Sequence, residues 1–235
     1  MIKASIPNTI TLGNMACGLL AILSITRGDF ILAAYLVAAA LLFDFLDGLV
    51  ARALGVHSEL GKQLDSLADV VSFGVVPGFF MYKLFRLAQT TGEPVPEFLA
   101  YLAFLIPLFS ALRLAKFNID TRQATYFIGM PTPANTLFIF SVGLWAVYGN
   151  NSTVQHVLLH PFFLTAITVL CSLLLVAEVP LLSLKLKSFK WKDNRGIYLL
   201  LIGVVILLAI LRFRALAFVI PLYLILSLIF KPESK

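Results

Sequence analysis

Long uninterrupted apolar runs dominate this chain and leave few architectures open to it. They fall at about 9–26, 30–51, 64–88, 98–117, 133–149, 161–184, 197–211 and 215–230, eight in all, the last two short at about 16 residues each. A membrane-crossing helix needs ~20 mostly apolar residues. Inside hydrocarbon every backbone N–H and C=O must be bonded internally, which leaves helices or closed barrels. These runs are too long and too uniformly apolar for barrel strands. The expected fold is an all-α, polytopic membrane helical bundle of about eight transmembrane helices. The last two form either a hairpin of short spans or helices that extend into flanking segments. Composition agrees: 60% of the residues are hydrophobic, 13% are charged and the mean hydropathy is +0.96, against roughly a quarter charged in a soluble domain. No linker, repeat, low-complexity tract or soluble domain interrupts the pattern.

The placement of charge orients the bundle. On one side of the alternating loops lie Lys3, Arg52, Lys62, Arg113, Lys116, Arg122, Lys185, Lys187, Lys190, Lys192, Arg195, Lys231 and Lys235, thirteen in all; on the other lie Arg27, Lys83, Arg86, Arg212 and Arg214, which is five. The positive-inside rule then predicts that both termini face the cytoplasm. The basic stretch 185–195 reads as an anchor at anionic headgroups, and nucleic-acid binding is disfavoured because no soluble domain presents the patch. The first run lacks an A-x-A cleavage site and reads as mature structure. Cys17 and Cys171 lie in different runs without metal-type spacing and read as small buried residues.

Four aspartates break the apolar pattern. Asp44 and Asp47 lie in the second run, Asp65 and Asp69 at the start of the third. An aspartate inside a spanning helix costs about 2.5–3.5 kcal/mol on insertion scales. Spacings of three and four residues place each pair on one helix face. The short connection around 55–61 makes the two spans an antiparallel hairpin. The pairs then meet about one to two turns in from the cytoplasmic surface. Four carboxylates converging there repel strongly, so they are protonated or they hold hard divalent cations, with Mg²⁺, Mn²⁺ and Ca²⁺ as candidates. The alternation of a calcium-binding EF-hand loop is missing. An ion or proton path in a transporter is the competing reading. Gly48 and Ala51 leave a notch beside the acids, and Arg52 is a natural partner for phosphate oxygens. Together these favour phosphoryl chemistry over ion conduction.

Written out, the segment is Asp44-x2-Asp47-Gly48-x2-Ala51-Arg52-x8-Gly61-x3-Asp65-x3-Asp69, eight identities over 26 residues. It resembles, at every position, the signature of the CDP-alcohol phosphotransferases. Further stretches resemble that family's membrane-embedded phosphatidylserine synthase branch: PNTITLGNMACG (7–18), DSLADVVSFGVVPG (65–78), ALRLAKFN (111–118) and FIGMPTPAN (127–135). Lys116 and Met130 depart from the branch, where Arg and Leu are common. Archaeal relatives with the same motifs act on ether lipids, so the lipid tail stays open.

The resemblance implies a core of six spans over 1–190, a two-span extension over 191–235, and a homodimer. It implies transfer of a phosphatidyl or archaetidyl group from CDP-diacylglycerol or CDP-archaeol to L-serine, with release of CMP, at the cytoplasmic side of the cell membrane. Asp44, Asp47, Asp65 and Asp69 are implied to hold two divalent cations, Mg²⁺ or Mn²⁺, with Asp69 as general base. Asn8, Thr11, Gly48, Ala51, Arg52 and Ser66 are implied to meet the CDP-lipid. Arg113, Lys116 and Asn118 are candidates for the serine, Arg113 through its bidentate match to a carboxylate. Glycerol 3-phosphate or an inositol phosphate are alternative acceptors, mildly disfavoured by the few basic residues around 113–133. Other residues have plainer readings. His57, His156 and His160 read as surface groups, Pro77 as a kink in the third span, and Gly74 and Gly78 as a close helix contact suited to a dimer interface. Glu178 reads as a lone acid in the sixth span.

Overall fold

The computed structural model describes residues 2–56, 58–90, 96–120, 129–179 and 195–230, without the side chains of 2–4, 212 and 213. His57, Gly92, Pro94, Arg122, the basic residues of 185–194, Lys231 and Lys235 lie outside the described residues.

Each apolar run becomes helical, and no strand occurs among the described residues. Helix α1 (Ile2–Thr26) turns through Gly28, whose φ of 82° suits a residue without a Cβ, into α2 (Phe30–Ala53). The Asp29 carboxylate caps α2 by accepting from the Leu32 N–H at 2.9 Å. Helix α3 (Glu59–Asp69) starts at Ser58, whose Oγ accepts from the Gly61 N–H at 2.9 Å. It passes through a π-helical turn (Val70–Val75) into α4 (Val76–Thr90). Helix α5 (Glu97–Tyr101) leads by a 3₁₀ turn into α6 (Leu105–Ile119). Then follow α7 (Thr132–Tyr148), α8 (Ser152–Leu159), α9 (Pro161–Val176), α10 (Arg195–Leu211) and α11 (Leu216–Ile229).

Among the described residues four continuous helices are long and apolar enough to cross a membrane: Ser5–Thr26, Phe30–Ala53, Glu59–Thr90 and Glu97–Ile119. The pair α8 and α9, bent by 58°, makes a fifth if it is one broken span. The chain is an integral membrane helical bundle. Helices α10 and α11 are apolar but only 17 and 14 residues long, short of a full span.

Two boundaries differ from the sequence expectation. The third helical segment begins at Glu59 rather than at 64, because the Ser58 cap starts it in polar sequence. The sixth ends at Val176, well before 184. Val179 precedes Pro180, and a residue before proline is pushed out of the α region. Backbone N–H groups of Gly129 and Met130 then donate to the carbonyls of Val179 (3.0 Å) and Leu174 (2.9 Å), satisfying orphan acceptors near the helix end. Glu178 is therefore exposed beyond the helix end, not inside a span.

At Pro77, expected as a kink, the helix carries a π turn just before the proline. A proline in mid-helix lacks an N–H and crowds the carbonyl four residues back. Widening the preceding turn relieves that crowding, and the Val76 N–H donates to Val71 O, five residues back. The carbonyl four residues before Pro77 belongs to Phe73, and it accepts from Thr136 Oγ1 on α7 at 3.0 Å. The π turn lies directly after Asp69, so it also sets where the last acid points.

Small residues bring the neighbours close to this turn. A Cβ on Gly74 would lie 2.9 Å from Ser110 Cβ, and one on Gly78 would lie 2.6 Å from Pro107 Cδ. Both glycines thus serve packing of this segment against α6 within one chain. Gly18 of α1 faces Ser72, where a Cβ would lie 2.5 Å from Oγ and 3.0 Å from Cα. Overpacking of this kind costs about 1–3 kcal/mol. Gly18→Val is expected to lower the thermal midpoint of the detergent-solubilised protein; an unchanged midpoint would show that α1 does not dock this closely.

Aromatic packing fills the other end of the bundle. Phe80 stacks on Phe140 with centroids 4.4 Å apart and meets Phe30 edge-on at 5.2 Å. The polar residues discussed next lie towards the α3 end, away from this core.

Candidate active site

The hairpin of α2 and α3 brings the acids together. One carboxylate oxygen from each of Asp44, Asp47 and Asp65 lies within 4.8 Å of the others. Asp69 lies close enough to Asp44 to interact with it electrostatically. Asp47 is buried, while Asp44, Asp65 and Asp69 are half-buried. Helix α1 supplies the polar neighbours. Thr11 Oγ1 donates to Asp47 Oδ2 at 2.6 Å, and Asn14 Nδ2 donates to Asp69 Oδ1 at 3.4 Å.

Carboxylates at such separations in a low-dielectric interior repel one another. No lysine or arginine is among the three residues of the cluster. An all-oxygen, all-anionic donor set with its members this close suits a hard divalent cation, and the residues present fit one. Thr11 donates to a cluster member from outside it, an outer-shell contact that orients a metal-binding carboxylate.

A cleft of about 460 Å³ opens beside the acids, lined among others by Asn8, Thr11, Asp47, Gly48, Ala51 and Asp65. Its volume falls within the usual range for small-molecule sites. Nothing lies within 4 Å of a Cβ built on Gly48, so the glycine borders open space, as the notch reading required. Gly61 lines the same cleft, and there a Cβ would press on Ser58 Oγ at 2.9 Å and Asn8 Oδ1 at 3.2 Å.

Other sequence-predicted residues take different positions. Arg52 is exposed and does not line the cleft. Its Nε donates to Gly48 O at 2.9 Å, which lays the guanidinium along α2 beside the notch. Ser66 faces α6, where its Oγ accepts from Asn118 Nδ2 at 2.8 Å. Asn118 O in turn accepts from Lys62 Nζ at 2.9 Å, so α3 and α6 are clasped at the rim. Lys116 is exposed. Arg113 is buried, close enough to Asp69 to interact with it electrostatically, with its guanidinium over the Phe117 ring at 5.9 Å from the centroid.

Asn14 and Lys62 were missed as site residues. Asn14 continues the three-residue spacing of Asn8 and Thr11 along one face of α1. Lys62 precedes Asp65 by three residues and shares its face. Both signals were visible, but neither residue type is distinctive on its own.

A carboxylate cluster that could hold a metal ion, at the edge of an open cleft, marks the candidate site of an integral membrane protein. The family model for CDP-alcohol phosphatidyltransferase matches residues 4–176. The chain belongs to that family. It is 40% identical over 128 residues to the CDP-diacylglycerol–serine O-phosphatidyltransferase of Bacillus subtilis, covering 54% of this chain and 69% of the relative. It is 32% identical over 225 residues to the Helicobacter pylori (strain 26695) protein of the same name, covering 95% and 89%. To the archaetidylserine synthase of Methanothermobacter thermautotrophicus it is 36% identical over 154 residues, covering 63% and 61%.

Proposed function

We propose that this protein transfers a phosphatidyl or archaetidyl group from a CDP-linked lipid to the hydroxyl of L-serine and releases CMP. The observation that carries this reading is the carboxylate cluster at the edge of a nucleotide-sized cleft, in a chain 32% identical along nearly its whole length to a serine phosphatidyltransferase.

Asp44, Asp47, Asp65 and Asp69 would hold two divalent cations, Mg²⁺ or Mn²⁺, which when bound supply neutralisation of charge at the diphosphate. Asn8, Thr11, Gly48 and Ala51 receive the cytidine end of the lipid. Arg52, laid beside Gly48, meets diphosphate oxygens at the mouth of the cleft. Ser66 acts at the rim with Asn118 rather than on the nucleotide. Arg113 holds the serine carboxylate, and Lys116 stays at the membrane surface as an anchor. The serine Oγ attacks the β-phosphorus. The new Oγ–P bond forms as the bond from that phosphorus to the CMP oxygen breaks. The hydroxyl proton passes to Asp69, and CMP leaves with the electron pair.

Charge placement supports a cytoplasmic site and cytoplasmic termini. The family match ending at 176 supports a core within 1–190 and an extension over 191–235. In a homodimer the partner would meet a surface other than Gly74 and Gly78.

The test is CMP release by purified protein in detergent, given CDP-diacylglycerol, Mn²⁺ and one acceptor at a time. Serine is expected to drive release, and glycerol 3-phosphate and inositol phosphate are not. Release with either phosphate but not with serine would overturn the serine reading.

A further inference from the structure

Four side chains near the π turn are buried with hydrogen-bonding atoms that have no partner: Ser110 Oγ and Arg113 Nε on α6, and Thr132 Oγ1 with both Asn135 Oδ1 and Nδ2 on α7. Buried polar groups are almost always paired, so a cluster of exceptions calls for an explanation such as an absent ligand. Asn135 is the extreme case. It is fully buried, and neither end of its carboxamide is satisfied.

The contacts of the π turn place these atoms relative to Asp69. Thr136 bonds to Phe73, and Gly143 meets the Phe80 ring. Both pairs are offset by 63 residues, so α7 runs parallel to the α3–α4 segment. That offset sets Thr132 level with Asp69, and Asn135 level with Ser72, one turn deeper. Helix α6 runs antiparallel, with Pro107 against Gly78, Ser110 against Gly74 and Asn118 against Ser66. That order sets Arg113 level with Val71, about half a turn beyond Asp69 and within electrostatic range of it. The unpaired groups of α6 and α7 thus flank the π turn on the side of Asp69 away from the nucleotide cleft, none of whose lining residues comes from α6 or α7. The α7 N-terminus adds a partial positive charge near Thr132.

We propose that Asn135, with Thr132 and Arg113 across the π turn, recognises the acceptor and selects one carrying an ammonium beside a carboxylate. The Asn135 Nδ2 donates to the carboxylate, which also meets Arg113. Its Oδ1 accepts from the ammonium, while Thr132 Oγ1, at the positive end of α7, donates to the carboxylate. The acceptor hydroxyl then points to Asp69. An acceptor phosphate would find one fixed cation and an amide oxygen facing it, which disfavours it. The proposal rests on the serine reading above and adds the residue that decides it.

The test is steady-state kinetics of CMP release with serine and CDP-diacylglycerol varied in turn, together with thermal midpoints. Asn135→Leu is expected to raise KM for serine at least about 30-fold while KM for CDP-diacylglycerol stays within about threefold. Its midpoint should hold or rise, because an apolar residue of similar volume removes unpaired buried atoms. A residue with a purely structural role would give a lower midpoint and no split between the two KM values. Thr132→Val, close to isosteric, is expected to raise KM for serine at least about fivefold, and it carries the test if Asn135→Leu does not fold. If the wild type uses serine and both KM values stay within threefold in the folded variants, the assignment of Asn135 and Thr132 to the acceptor is overturned. A wild type that ignores serine instead overturns the underlying reading.

Discussion

Asp69→Asn is expected to slow CMP release by about 10²–10⁴-fold, the range that a positioned general base contributes. Asparagine keeps the shape and the bond from Asn14 Nδ2, but it cannot take the hydroxyl proton. The loss should appear in kcat, with KM for CDP-diacylglycerol changed little, because Asp69 is not among the residues that line the cleft. Binding of the CDP-lipid, followed separately by calorimetry, should persist. A variant retaining a tenth or more of the wild-type kcat would remove Asp69 from the proton-transfer role. Asp69 sits where the α-helix gives way to the π turn, within electrostatic range of Arg113 and Asp44.

Chelation is expected to abolish activity completely, and added Mn²⁺ or Mg²⁺ to restore it. The three carboxylate oxygens within 4.8 Å explain why: without a cation they repel the diphosphate as well as one another. Asp47→Asn removes one of the three and should raise the metal concentration for half-maximal activity at least ~100-fold, since even outer-shell changes cost about 10–100-fold. Thr11→Val tests the outer contact. It deletes the 2.6 Å bond to Asp47 while leaving all four acids in place, and a rise of about 10-fold is expected. Metal titration of each variant measures both effects. Full activity in the presence of EDTA would rule out the divalent site.

The cluster was legible in the sequence because charge in an apolar run is costly, and because helical spacing fixes which charges share a face. Asp44 with Asp47, and Asp65 with Asp69, needed only the three- and four-residue rule. The notch at Gly48 was legible for a similar reason, since a missing side chain leaves room wherever the helix is placed. Arg52, Ser66 and Asn118 were harder. A long or polar side chain at a helix face has several partners within reach, and the neighbouring helix decides among them. Asn118, expected at the acceptor, bonds Ser66 and Lys62 across α3 and α6, a pairing that its position in the sequence does not signal. Span lengths were overestimated for the sixth run, because hydropathy does not register the cap formed by Gly129 and Met130.

The sequence alone determined the helical, membrane-embedded architecture, the meeting of two acid pairs on one hairpin, and the family. Each follows from local rules: apolar length, helical period and short connections. Tertiary structure alone decided how the hairpin meets its neighbours. It put Thr11 on Asp47 and Asn14 on Asp69, placed a π turn before Pro77 with Thr136 on the Phe73 carbonyl, and buried Arg113, Thr132 and Asn135 on the helices packed beside that turn. Those pairings join residues far apart in the chain through close helix contacts at Gly18, Gly74 and Gly78. Such contacts depend on the register of one helix against another, which no single segment encodes.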